Sequence, residues 1–326
     1  MATRNTRIPS QVVELSTPDL PSESSSLVEQ VAPLSTSSAV RFSPEPASES
    51  PSAGQGWGAR RAKVNLPEKQ AMAKYCIEHD FLVRKSPAEH RDTVASILVN
   101  QGTTPNEVVQ EALRWIKKNW REGPFDITWY ATGGLVSASL HDFRDKNPAL
   151  TIAAQVFLFP GRVNFDLQSV AGPEAEEFVE QLDNDFTYAF LSAYAFDIDL
   201  GGIHFLYSEE LRLQRACARL YADHKFLFLD RSKIKREGKR GYGLAELLEK
   251  GNTVTIYTTG SKENADDNKL LEERFLLLCN QLFLPAGEAP AAPAITKTIR
   301  LRIVDTNSTL LASAQRAGLL RPSPHK

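Results

Sequence analysis

The sequence predicts an α/β fold, a Rossmann-like open parallel sheet with helices on both faces, behind a disordered N-terminal arm. Three observations predict it. Apolar runs of strand length alternate with helical stretches from Asn65 to Gln281. Glycine-containing turns mark several of the passages between them. Residues 1–61 differ in character, with Pro9, Pro18, Pro21, Pro33, Pro44, Pro46 and Pro51 spread among serines. Alternating strands and helices indicate a parallel sheet covered on both sides. A Ser/Pro-rich stretch buries too little apolar surface to offset its ordering entropy, and its prolines leave no room for a helix-turn-helix.

The elements follow in order. Pro67 with EKQAMAKYCIEH reads as a helix with proline in its first turn. Val94–Val99 is a short strand. The turn 100–105 leads into a helix over Asn106–Lys118, where Val108, Val109, Ala112, Leu113 and Ile116 recur at helical spacing. Asp126–Ala131 is a strand, Thr132-Gly133-Gly134 a turn and Leu135–Phe143 a helix. Leu150–Leu158 is read as a strand, Glu174–Leu182 as a helix and Tyr188–Ala193 as a strand. Ser208–Asp223 is a helix with Glu209 and Glu210 at its positive end. Lys225–Leu229 and Thr253–Tyr257 are strands, and Asn264–Gln281 is a late helix. Beyond Leu284 a Pro/Ala linker precedes Thr298–Val304, an edge strand or extra arm, and a basic tail. The domain plan is therefore an arm (1–61), a sensor-sized α/β domain (62–284) and a linker with tail (285–326).

Composition excludes several function classes. A formal net charge of −2 gives no global basic signature for nucleic acid. No apolar run reaches the roughly 18 residues needed to span a bilayer, and the N-terminus lacks the apolar core of a secretory signal. A soluble, cytoplasmic protein is the expectation. Cys76, Cys217 and Cys279 are scattered and read as small buried hydrophobes. His79, His90, His141, His204, His224 and His325 form no H-x-x-x-H pair, and no G-x-S-x-G elbow is present. Neither a metal nor another cofactor is expected. Asp197 and Asp199, before Gly201-Gly202, read as a turn rather than a calcium loop. The basic run Arg231–Arg236 reads as a solvated loop.

The informative chemistry lies at the expected strand ends. Gly102-Thr103-Thr104 follows a strand and opens a helix, a combination suited to phosphate because backbone N–H groups and hydroxyls face outward there. Thr132, Ser192 with Ala193 and Tyr194, and Asp230 with Ser232 and Lys233 sit beyond three further strands. In an open parallel sheet such loops share one crevice where ligands bind. Lys233 would add positive charge, and Glu210 would accept hydrogen bonds from sugar hydroxyls.

The motifs fall in a recognisable order. NLPEKQAMAKYC (65–76), ILVNQGTTPNEVVQEAL (97–113), LFPGRVNFDLQSVAGPEAEEFVEQLDNDFTYAFLSAYAFDIDLGG (158–202) and SEELRLQRACARLYADHKFLFLDRSK (208–233) run collinearly. Together they resemble the C-terminal sensor domain of DeoR-type bacterial regulators, without that family's DNA-binding head. The resemblance implies a fold shared with ribose-5-phosphate isomerase, glucosamine-6-phosphate deaminase and coenzyme A transferases. It implies a phosphorylated sugar or similar small anion as ligand, held by Asn100, Gly102, Thr103, Thr104, Thr132, Ser192, Ala193, Tyr194, Glu210, Arg215, Asp230 and Lys233. This sequence departs from the family pattern. Asn100 stands where the family has an acidic residue, Pro105 replaces its third threonine, Ser192 and Tyr194 replace glycines, and Gln214 replaces a lysine. The leading expectation is a metabolite-binding regulatory module acting as a homo-oligomer, without sequence-specific DNA binding of its own. An isomerase or deaminase with Glu210 or Asp230 as general base is the second, and a degenerate scaffold with its pocket narrowed by Tyr194 is the third.

Overall fold

The computed structural model describes residues 12–17, 63–81, 93–119, 125–164, 169–235, 237–260, 265–283 and 297–306. Apart from residues 12–17, the stretch expected to be a disordered arm (1–61) lies outside the described residues, as do the Pro/Ala linker and the basic tail.

Thirteen strands and seven α-helices succeed one another: β1 (Val12–Thr17), α1 (Leu66–His79), β2 (Thr93–Val99), α2 (Thr103–Asn119), β3 (Phe125–Ala131), α3 (Gly134–Lys146), β4 (Gln155–Leu158), β5 (Arg162–Asn164), β6 (Ser169–Ala171), α4 (Pro173–Gln181), β7 (Phe186–Ser192), β8 (Ala195–Asp197), β9 (Gly202–Phe205), α5 (Ser208–Arg219), β10 (Ala222–Phe228), β11 (Lys239–Gly243), α6 (Leu244–Glu249), β12 (Gly251–Thr259), α7 (Ala265–Phe283) and β13 (Lys297–Val304). Eight strands form the main sheet in the order β1-β13-β12-β10-β7-β2-β3-β4. Every neighbouring pair runs parallel except β1 against β13. The α/β fold with a parallel sheet between helices is thus as expected.

Alternation explains how one strand serves two cores. Ile97 and Val99 of β2 face one layer with Val108, Val109 and Ile116 of α2 and Met72 and Ile77 of α1. Leu98 faces the other layer with Leu213 of α5, Leu247 of α6 and Phe275 of α7. On β7, Phe190 and Leu191 divide in the same way. Strands buried on both sides read as continuous apolar runs, which is why VASILV and YAFL were legible.

The strand order also locates a switch. From β2 the chain winds outward through β3 to β4, returns to β7 on the other side of β2, and then winds outward through β10 and β12. Open α/β sheets bind ligands where winding reverses, outside the carboxyl ends of the two central strands. Here those ends are Val99 of β2 and Ser192 of β7.

Four expectations need correction. Leu150–Leu158 is not one strand: Pro148–Ala154 is a 3-10 helix, and only Gln155–Leu158 joins the sheet. There the Trp129 indole N–H donates to the Ala153 carbonyl at 2.9 Å, fixing the turn. The helix expected to reach Asp223 ends at Arg219, because Ala222 pairs with Phe186 and Gly251 in the sheet. Thr298–Val304 belongs to β13, which lies inside the sheet between β12 and β1 rather than at its edge. Finally, β1 falls within the stretch read as arm, where Val12–Thr17 pairs with β13. A small sheet of β8, β9 and β11 and a β5–β6 hairpin complete the structure.

Candidate functional site

The site forms from the outlets of β2, β3 and β7. Gly102 adopts φ +151°, and a Cβ there would stand 2.3 Å from Ser192 Oγ. Only glycine combines that backbone with that proximity. Ser192 Oγ donates to the Gln101 carbonyl at 3.0 Å, so the loops after β2 and β7 touch at the switch point.

A short relay orders the polar groups. The Gln101 backbone N–H donates to Thr132 Oγ at 2.8 Å, and that hydroxyl donates to Asn100 Oδ1 at 3.2 Å. A hydroxyl has one proton, so accepting from Gln101 and giving to Asn100 fixes its role. The Asn100 amide oxygen faces Thr132, and its Nδ2 has no hydrogen-bond partner among the described residues. Asn100 and Thr132 are both fully buried.

Across the crevice, α5 presents Glu210, whose carboxylate accepts from Gln101 Nε2. That leaves Gln101 Oε1 buried without a partner among the described residues, as are Thr104 Oγ, Ser169 Oγ and Gln214 Oε1. Thr104 lies in the first turn of α2, Gln214 lies one turn beyond Glu210 on α5, and α5 packs on β6, which carries Ser169. Buried polar groups of this kind are nearly always paired in folded proteins.

The remaining expected residues divide. Thr103 is the first residue of the 17-residue helix α2, beside Thr104. Ala193 follows Ser192 and is buried. The Tyr194 N–H donates to the His204 carbonyl at 3.0 Å, and its ring carries Lys235 Nζ 4.9 Å from its centre. Beyond β10, Asp230 Oδ1 accepts from Asn65 Nδ2 at 3.1 Å and from Ser232 Oγ. The Lys233 N–H returns to the Asp230 carbonyl at 2.9 Å, so Asp230 and Lys233 share one turn at the same end of the sheet. Arg215 is not brought into this group: its Nε donates to Glu246 Oε2 at 2.8 Å, where Glu246 also caps α6.

Sequence reasoning did not single out Asn65, Gln101, Ser169 and Gln214 for this group, although Asn65 bonds Asp230, Gln101 bonds Glu210, and Ser169 and Gln214 carry unpartnered buried oxygens among the described residues. Asn65 carries a signal in its residue type, because asparagine tolerates the left-handed conformation it adopts (φ 52°). Gln101 carries none, since its role depends on Glu210, 109 positions away. The Asp197 turn is as expected, with Oδ1 accepting from the N–H groups of Asp199 at 3.0 Å and Leu200 at 3.3 Å. All three cysteines are free and buried. No helix among the described residues is long and apolar enough to cross a membrane.

The sheet defines an α/β protein in which buried polar side chains gather at a topological switch point. No protein-family model matches the chain, and no curated protein matches it. Among solved structures it is similar to a ribose-5-phosphate isomerase in complex with phospho-erythronic acid, at 13% identity and TM-score 0.32 over 51% of this chain and 53% of that one. A monomeric glucosamine-6-phosphate deaminase aligns at 16% identity and TM-score 0.30, over 74% of this chain and 95% of that one. The eIF2B delta protein from Chaetomium thermophilum aligns at 9% identity and TM-score 0.30, over 55% and 51%. The chain thus spans about half the length of the isomerase it aligns with. At these TM-scores the likenesses assign no function.

Proposed function

We propose that the chain is a regulatory module that binds a phosphorylated sugar, or a related anionic metabolite, in the crevice beside Gly102, like the effector domain of DeoR-type regulators. One observation carries the reading. Asn100 Nδ2 and Thr104 Oγ are buried donors without partners among the described residues, and they flank the start of a 17-residue helix. Such helix starts favour anions through their free N–H groups and dipole. The two carboxylates that could serve as a general base are both hydrogen-bonded already, Glu210 to Gln101 and Asp230 to Asn65 and Ser232. The reading accordingly favours binding over turnover. In it, the ligand shifts contacts between copies of a homo-oligomer, and any control of DNA passes through a partner protein.

Isothermal titration of the folded chain against inorganic phosphate and a panel of sugar phosphates tests this. Saturable heat is expected, weakened at least tenfold by Thr104→Val. Absence of heat with every phosphorylated compound would overturn it.

A further inference from the structure

We infer that the ligand carries one phosphoryl group on an uncharged, polyhydroxylated body, and that Gln101 and Glu210 together discriminate against a body bearing a second negative charge. This rests on the anion-binding reading above and narrows the ligand class.

The inference comes from the direction in which each amide is locked. A carboxylate only accepts hydrogen bonds, so Glu210 requires the NH2 end of Gln101 to face it. The Gln101 carbonyl oxygen must then point elsewhere, and it is buried without a partner among the described residues. The neighbouring amide is locked in the opposite sense: Thr132 holds the oxygen of Asn100 and leaves its NH2 unpartnered. Two consecutive residues thus offer one buried donor and one buried acceptor. The donor belongs with Thr104 at the helix start, where an anion fits. The acceptor belongs with Glu210, which is only 8% exposed, and with Gln214 on the same face of α5.

A ligand hydroxyl satisfies the acceptor end, because it brings a proton for Gln101 Oε1. A ligand carboxylate placed there brings none. The Gln101 amide protons are engaged by Glu210, and two carboxylates in a poorly solvated space repel. Specificity of this kind comes from what the wrong ligand leaves unpaired. Glu210 acts partly through Gln101, as a positioning residue, and partly through its own charge.

The test uses the full chain with three probes: inorganic phosphate, sorbitol 6-phosphate and 6-phosphogluconate. The two six-carbon probes differ at the end remote from phosphate, a hydroxymethyl group in one and a carboxylate in the other. Sorbitol 6-phosphate is expected to bind at least tenfold more tightly than 6-phosphogluconate. In Glu210→Gln, checked for folding by its thermal transition, that ratio is expected to fall below about threefold. A purely structural role for Glu210 would lower both affinities and keep their ratio. If inorganic phosphate binds but the two six-carbon probes bind equally, or no better than phosphate, this inference fails and the anion site stands. If none of the three binds, the anion site itself fails.

Discussion

Replacing Gly102 with alanine probes the contact on which the crevice depends. The new Cβ would lie 2.3 Å from Ser192 Oγ and 3.0 Å from Pro105 Cδ, with φ at +151°. Three costs add. Holding a non-glycine residue in that backbone region costs about 1–3 kcal/mol. Forcing a methyl group into a filled space costs about 1–3 kcal/mol. Displacing the Ser192 hydroxyl breaks its bond to the Gln101 carbonyl, worth about 1 kcal/mol. Gly102→Ala alone should therefore destabilise by about 3–7 kcal/mol in urea unfolding. Ser192→Gly removes the obstructing side chain and leaves the backbone cost. In that background Gly102→Ala should cost only about 1–3 kcal/mol, a coupling of roughly 2–4 kcal/mol between the two positions. Independent sites add within about 0.5 kcal/mol. Additivity at that level would refute the claim that the β2 and β7 loops meet at the switch point.

Further outcomes follow from the buried polar groups. Lys225 is fully buried, with Nζ donating to the Ala218 carbonyl in the last turn of α5 at 2.7 Å, and burial pushes its pKa down to about 7. Between that value and the unfolded value near 10.4 the unfolded chain holds the extra proton. Below about pH 7 the burial penalty is fully present, and it is relieved as pH rises toward 10. Wild type should gain about 4–5 kcal/mol relative to Lys225→Met across that window, at 1.36 kcal/mol per tenfold in proton affinity. A flat difference in urea unfolding from pH 6.5 to 10 would refute it. Arg302→Met should cost about 3–5 kcal/mol, because Arg302 Nη2 meets Asp80 Oδ1 at 3.3 Å in a buried pair. The double variant Asp80→Leu/Arg302→Met should be more stable than the sum of the single losses, and simple additivity would argue against the pairing. Trp129→Phe should cost about 2–4 kcal/mol in thermal or urea unfolding by orphaning the Ala153 carbonyl and opening a void; a loss below 0.5 kcal/mol would contradict that account.

How far the sequence spoke depended on whether a signal was local. Ile97, Leu98 and Val99 announced a central strand because each faces one or the other apolar layer. Gly102 announced a tight outlet because few residues tolerate its backbone. The stretch Leu150–Leu158 misled because a short 3-10 turn and a short strand look alike over so few residues. The strands β8 and β9 escaped notice because three or four residues carry too little periodicity, and they exist through pairing with each other and with β11. Val12–Thr17 was hidden for a related reason: its partner β13 lies at the other end of the chain. The tight turn at Gly102-Thr103-Thr104 was legible, whereas the pairing of Gln101 with Glu210 and the placing of Ser169 beside α5 depend on tertiary packing.

That asymmetry has a physical origin in Thr132. Strand β3 delivers a single hydroxyl to the crevice, and its one proton settles the orientation of everything beside it. It accepts from the Gln101 N–H and donates to Asn100 Oδ1, an arrangement that turns the asparagine's own donors away from β3. An aspartate in place of Asn100 could accept the same proton and would have no N–H to offer beyond it, which reverses the polarity of that part of the crevice from donor to acceptor. In the proposed reading, asparagine at position 100 is the residue that offers a donor to an anion at this end of the site. The same substitution spares the fold a buried charge, whose desolvation would otherwise need a cation within reach.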